Sequence, residues 1–204
     1  MTTLQRRKIG VLGGTFDPIH IGHLRPALEV KRRLELDEIR LVPCHLTSHK
    51  EQPERSSQMR SHLCKLAASE LPGFLVDERE LRREQLSYTA DTLADMHRDY
   101  PEAQLYFLLG SDSFDYFHTW HRWEEILEHA TLVVMARPDN HFCPEALQML
   151  ELQGDRIVQA QTTELHISST AIRELLAQGR DPRYLVPDPV REYLLSEQLY
   201  LETT

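Results

Sequence analysis

Short apolar runs alternate along this chain with stretches in which apolar residues recur every three or four positions. The runs lie at 8–12, 38–43 (EIRLVP), 74–77, 104–109 (QLYFLL), 131–136 (TLVVMA) and 156–159. TLVVMA is unbroken in apolar character, the pattern of a strand covered on both faces. Between the runs, Leu24, Leu28 and Leu34 share one helical face within 24–36. Met59, Leu63 and Leu66 do the same within 56–70. Further helices are predicted over 89–100, 123–129, 168–178 and 189–198. Such alternation predicts an α/β fold, a Rossmann-like, doubly wound, mostly parallel sheet with helices on both faces. Stretches 44–56, 79–88 and 137–145 read as irregular, and the charges of 79–85 read as a solvated face.

The 204 residues suit one domain with a substantial core, expected over 1–204. A net charge of −9 argues against a general nucleic-acid or anionic-membrane binder, since both need basic surface. No apolar run approaches the roughly 18 residues that span a bilayer, and the first residues carry no secretory pattern. Three widely spaced cysteines, Cys44, Cys64 and Cys143, read as free thiols in a reducing compartment. The expected location is therefore cytoplasmic. Association into a homo-oligomer is left open.

The stretch with chemical character is GGTFDPIHIGH, Gly13 to His23. It leaves the first strand at its carboxyl end, where sheets of this kind bind ligands. Gly13 and Gly14 allow close backbone approach or positive φ, and Asp17-Pro18 punctuates the loop. His20 and His23 stand at the mouth of the next helix, where free N–H groups and the helix dipole favour anions. Residues three apart share a face, so both rings can meet one phosphate. Two such histidines could also begin a zinc site, but neither HExxH nor CxxC occurs to complete one. GxGxxG and GxxxxGK[ST] are absent too, which argues against a Rossmann dehydrogenase or a P-loop kinase.

GGTFDPIHIGH resembles the first signature of the nucleotidyltransferase superfamily, T/HxGH. About 145 residues later, Ile167-Ser168-Ser169-Thr170-Ala171-Ile172-Arg173 resembles its second, ISSTxxR. Ser87-Tyr88-Thr89, Gly110-Ser111-Asp112, Thr119-Trp120, Arg137-Pro138 and the ending LVPDPVREYLLSEQLY are similar to those of the bacterial nicotinate-nucleotide adenylyltransferases. The resemblance implies transfer of an adenylyl group from ATP to nicotinate mononucleotide, giving deamido-NAD and pyrophosphate, a step of NAD synthesis. It departs at 43–50, where PCHLTSHK replaces the usual PNxxPPHK. Two φ-restricted prolines become Thr47 and Ser48, so a more flexible loop is expected there.

The resemblance implies an ATP site of Gly13, Gly14, Thr15, Phe16, His20, His23, Gly110, Asp112, Arg137, Ile167, Ser168, Ser169, Thr170 and Arg173. His20, His23 and Arg173 are its catalytic members. Residues from about 168 onward would complete that site. The mononucleotide site it implies takes in Thr15, Phe16, Cys44, His49, Lys50, Tyr88, Thr89 and Trp120. Physical chemistry supports these types. Guanidinium grips phosphate oxygens at two points, which suits Arg173. The serines and threonine at 168–170 can offer hydroxyls and N–H groups to the same anion, or simply cap a helix. Trp120 suits stacking on the pyridine ring, although a buried Trp more often serves packing. Mg²⁺ is expected with ATP, held largely by phosphates and water. Adenylation of nicotinamide mononucleotide or pantetheine phosphate stays open, as does a regulator that binds nucleotide without turnover.

Overall fold

The computed structural model describes residues 6–46, 53–84, 86–136, 142–163 and 165–201. Six strands run through them: β1 (Lys8–Gly14), β2 (Glu38–Pro43), β3 (Phe74–Val76), β4 (Gln104–Gly110), β5 (Thr131–Ala136) and β6 (Ile157–Gln161). The longer helices are α1 (Ile21–Arg33), α2 (Ser57–Ser69), α3 (Thr89–Asp99), α5 (Trp123–His129), α6 (Pro144–Leu152), α7 (Ser169–Ala177) and α8 (Asp188–Ser196), with a single turn, α4 (Ser111–Phe114), after β4.

All strand pairs are parallel. The sheet order is β3-β2-β1-β4-β5-β6, so the chain winds outward from β1 in one direction and from β4 in the other. That reversal opens a crevice beyond the carboxyl ends of β1 and β4, the usual ligand position of such sheets. Alternating residues of each strand face opposite layers. Leu12, Ile39, Leu41, Leu108, Val133 and Ala160 pack under α1, α2, α7 and α8. Val11, Val42, Phe107, Leu109, Leu132 and Val134 pack under α3, α5 and α6. Each large apolar side chain buried this way contributes about 1.5–3 kcal/mol.

Several boundaries differ from those read in the sequence. β1 runs through Gly13 and Gly14, which pair with Val42 and Pro43 instead of forming the loop, and neither takes positive φ. α1 begins at Ile21, three residues earlier than expected, which puts His23 in its first turn. In α2 the inward face carries Arg60, Leu63, Cys64 and Ala67, rotated from the expected Met59-Leu63-Leu66 stripe. The charged stretch 79–85 is not a solvated face in its described part. Glu80 is buried, Arg79 pairs with Asp77 and Asp99, and Arg83 pairs with Asp95. α6 forms at 144–152, where no helix was predicted.

Candidate active site

After Gly14 the chain turns sharply. Phe16 takes φ of 52°, a left-handed conformation costly for a bulky residue. Gly14 makes that turn feasible, because a Cβ there would lie 2.8 Å from the Phe16 ring. His20 precedes α1 in extended conformation and is 4% exposed. Its ring stacks on His23 with centroids 3.6 Å apart, as their spacing predicts. The His20 backbone N–H donates to His23 Nδ1 at 3.3 Å, so a neutral His23 carries its proton on Nε2. Burial lowers the His20 pKa to about 4. At neutral pH His20 is therefore uncharged and offers one N–H, a hydrogen-bond donor and not a cation.

The second motif docks against this loop. Ser169 Oγ donates to the Pro18 carbonyl at 2.9 Å, and Arg173 Nη1 donates to the Asp17 carbonyl at 2.9 Å. A Cβ on Gly22 would sit 3.2 Å from the Ile167 carbonyl, so the glycine permits the close approach of α1 to this segment. The expectation for one hydroxyl needs correction. Ser169 spends its O–H on the Pro18 carbonyl, whereas Ser168 Oγ caps α7 by accepting from the Ala171 N–H at 3.1 Å and keeps its own O–H to donate. Thr170 is exposed and, with the first-turn N–H groups, is left to meet an anion. Arg173 Nε holds the Glu54 carboxylate at 2.6 Å; the guanidinium already grips an anionic group from a neighbouring segment.

Asp17 is the hub of this junction. Its two carboxylate oxygens accept from Tyr200 Oη at 2.6 Å and from the Glu54 N–H at 2.8 Å. The C-terminal end of the described chain and the segment before α2 thus meet on one loop residue.

A cavity of about 660 Å³ opens on the other part of the loop, within the range usual for small-molecule sites. Gly13, Gly14, Thr15 and Cys44 line one side, and Tyr88, Thr89, Trp120 and Asp112 another. Trp120 is packed edge-on to Phe107, with ring centroids 6.1 Å apart, and its placement in the wall suits stacking on a flat ring. Gly110 stands at the end of β4 with open space beside it, since a Cβ there would meet nothing within 4 Å. Cys44 is neutral here, because burial raises its thiol pKa against the opposing charge of Arg60. His49, Lys50 and Arg137, with Thr47 and Ser48, lie outside the described residues.

Sequence reasoning overlooked three groups. Glu80 lines the cavity and accepts from Thr92 Oγ1 at 2.6 Å; burial pushes its carboxyl above the usual range. His121 also lines the cavity, its ring 4.4 Å from that of Tyr88. Arg60 lies buried beneath both loops. The one sequence signal for Arg60 is its spacing from Cys64 and Ala67, which places a cation on the inward face of α2.

Among the described residues, no group of three or more His, Cys, Asp or Glu is placed to hold a metal ion. Among the same residues, no helix is long and apolar enough to cross a membrane.

Residues 11–175 match the family model described as cytidylyltransferase-like. A protein of Aeromonas salmonicida, named as a probable nicotinate-nucleotide adenylyltransferase, is 45% identical over 206 residues, covering 94% of this chain and 96% of the relative. One of Pseudomonas syringae pv. tomato, with the same name, is 46% identical over 214 residues, covering 98% and 96%. In fold the chain is similar to the solved Plasmodium falciparum nicotinic acid mononucleotide adenylyltransferase complexed with NaAD. The TM-score is 0.75 at 20% identity, with 95% of this chain and 97% of that one covered. A loop and a distant helix that meet around stacked histidines thus coincide with near-full-length similarity, and the chain belongs to the cytidylyltransferase-like family, among the nicotinate-nucleotide adenylyltransferases.

Proposed function

We infer that this protein transfers the adenylyl group of ATP to nicotinate mononucleotide, releasing pyrophosphate and forming deamido-NAD for NAD synthesis. The observation that carries the reading is the junction at 13–23. One loop lines a cavity with an aromatic wall and also contacts the ISSTxxR helix and the stacked histidines. Two substrates bound on either part of it would bring their phosphates together.

In this reading a mononucleotide phosphate oxygen attacks the ATP α-phosphorus in line with the departing pyrophosphate. A P–O bond forms to the α-phosphorus as its bond to the bridging oxygen breaks, and the electron pair leaves with pyrophosphate. The nucleophile is already an anion, so no proton need be removed. Catalysis then lies in positioning and in stabilising charge. Neutral His20, with His23, donates hydrogen bonds to the α-phosphate. Arg173 exchanges Glu54 for β- and γ-phosphate oxygens, a charge-assisted two-point contact. Magnesium enters as part of the ATP substrate and offsets charge on the phosphates.

Trp120 stacks on the pyridine ring, while Tyr88 and Thr89, with nearby N–H groups, receive the carboxylate. Donors at that point disfavour the amide, whose NH₂ would face other donors. Gly110 and Asp112 frame the adenosine. The helices from α7 onward belong to the same unit, supported by the bonds of Ser169, Arg173 and Tyr200 to the loop.

The test is pyrophosphate release with MgATP, comparing nicotinate and nicotinamide mononucleotides. A strong preference for the acid supports the reading. Equal use keeps the adenylyltransferase and removes the carboxylate site. Release with neither overturns the reading.

A further inference from the structure

Arg60 is 1% exposed, and no carboxylate of the described residues pairs with it. Its guanidinium instead spends every nitrogen on backbone carbonyls from separate segments. Nη1 donates to Thr15 O. Nη2 donates to Cys44 O at 2.6 Å and to His45 O at 3.2 Å. Nε donates to Arg55 O at 3.2 Å, just before its own helix. A buried charge facing only neutral dipoles is expensive, and stability alone would be served as well by an apolar side chain.

The geometry of those carbonyls gives the charge a purpose. In a trans peptide the C=O of one residue and the N–H of the next point in opposite directions. The Cys44–His45 peptide displays this. Its carbonyl meets Arg60, while the His45 N–H reaches away to Ser87 Oγ at 3.2 Å. The Thr15–Phe16 peptide is held the same way, so the Phe16 N–H points away from Arg60. Among the described residues it has no protein acceptor. Phe16 is also the residue in the left-handed conformation, and its neighbours Gly14 and Thr15 line the cavity with Cys44.

We propose that Arg60 is a positioning residue for adenylyl transfer: its buried fork fixes the Thr15–Phe16 peptide so that the Phe16 N–H is presented to a substrate phosphate. The same fork fixes the Cys44–His45 peptide, which carries the Ser87-Tyr88 side of the cavity through His45. Arg60 thus sets the distance between the phosphate loop and the aromatic wall without touching either substrate. Its charge, which no carboxylate of the described residues pairs with, adds an attractive field beneath the anion. The proposal deepens the functional reading above and rests on it.

The test uses the full chain and three proteins: wild type, Arg60→Lys and Arg60→Met. kcat and KM are measured for MgATP and nicotinate mononucleotide, with the folded fraction taken from urea titration. In the folded Arg60→Met protein, kcat/KM should fall about 100-fold, the scale of a misplacement near 1 Å. Arg60→Lys keeps the charge but cannot span the four carbonyls, and should recover only part. The second measurement is the Phe16 amide resonance of the wild type, which should move downfield when MgATP or nicotinate mononucleotide is added. Wild-type kcat and KM in folded Arg60→Met overturn the proposal, and so does a Phe16 resonance that neither substrate moves. The resonance is read without turnover. A wild type that binds and shifts but transfers nothing therefore overturns the functional reading and leaves the Phe16 contact standing.

Discussion

His20 should make the protein lose stability as pH falls, and by an amount the structure allows to be worked out. Its folded pKa is about 4, against about 6.5 for an unfolded histidine. Between those values the unfolded chain binds a proton that the native state refuses. Stability therefore rises with pH across this window, is complete above 6.5, and falls as pH drops toward 4. At ~1.4 kcal/mol per unit the gap amounts to about 3 kcal/mol. The perturbation is His20→Asn, which keeps a polar side chain and removes the titration. Urea unfolding of both proteins at several pH values from 7.5 to 4 isolates the effect, since all other groups are common to them. The wild type should lose about 3 kcal/mol more than the variant over that range. Parallel curves would refute the argument, for they would mean that His20 accepts its proton in the folded state and acts as a cation at its phosphate.

Arg173→Ala should sharply reduce use of ATP with the fold intact, while Glu54→Gln should lower the KM for ATP a few-fold, because an exposed ion pair of ~0.2–1 kcal/mol no longer competes; an unchanged KM in the second variant would mean that the pair does not stand in the phosphate position. Trp120→Ala should raise the KM for the mononucleotide by about 5- to 150-fold, the value of one stacked ring, and leave the KM for ATP nearly unchanged. Tyr200→Phe keeps the packing but removes the donor to Asp17; urea titration should register a loss of about 1–3 kcal/mol, and a loss of zero would free the loop from any dependence on the end of the chain.

Much of the fold was legible before any coordinates. The runs EIRLVP and TLVVMA became β2 and β5 with the bounds read from them, because a strand buried on both faces writes itself as a continuous apolar segment. The helix at 123–129 was read with equal accuracy. Of the site, the shared face of His20 and His23 was read from their spacing, and Tyr88, Thr89 and Trp120 were named through the family resemblance. Glu80 and Arg79 were misread because a charge cluster looks solvated until its partners arrive, here Asp77 beside it and Thr92 and Asp99 on the packed helix α3. Ser169 was offered to an anion or a helix cap and instead holds the Pro18 carbonyl, because a hydroxyl at a helix mouth looks the same whether it serves the fold or meets a ligand.

The amino-acid order determined the local elements and the chemical kinds of residue at each strand end, since these depend on periodicity and neighbours a few positions apart. Tertiary structure alone decided that Asp17 would be shared by Tyr200, Glu54 and Arg173. It alone decided that a guanidinium on α2 would reach the carbonyls of two loops. Those contacts join residues tens to nearly two hundred positions apart, and no local pattern records them. They exist because the parallel sheet brings successive strand ends to one edge, where backbone carbonyls left without ladder partners must find donors from elsewhere in the chain.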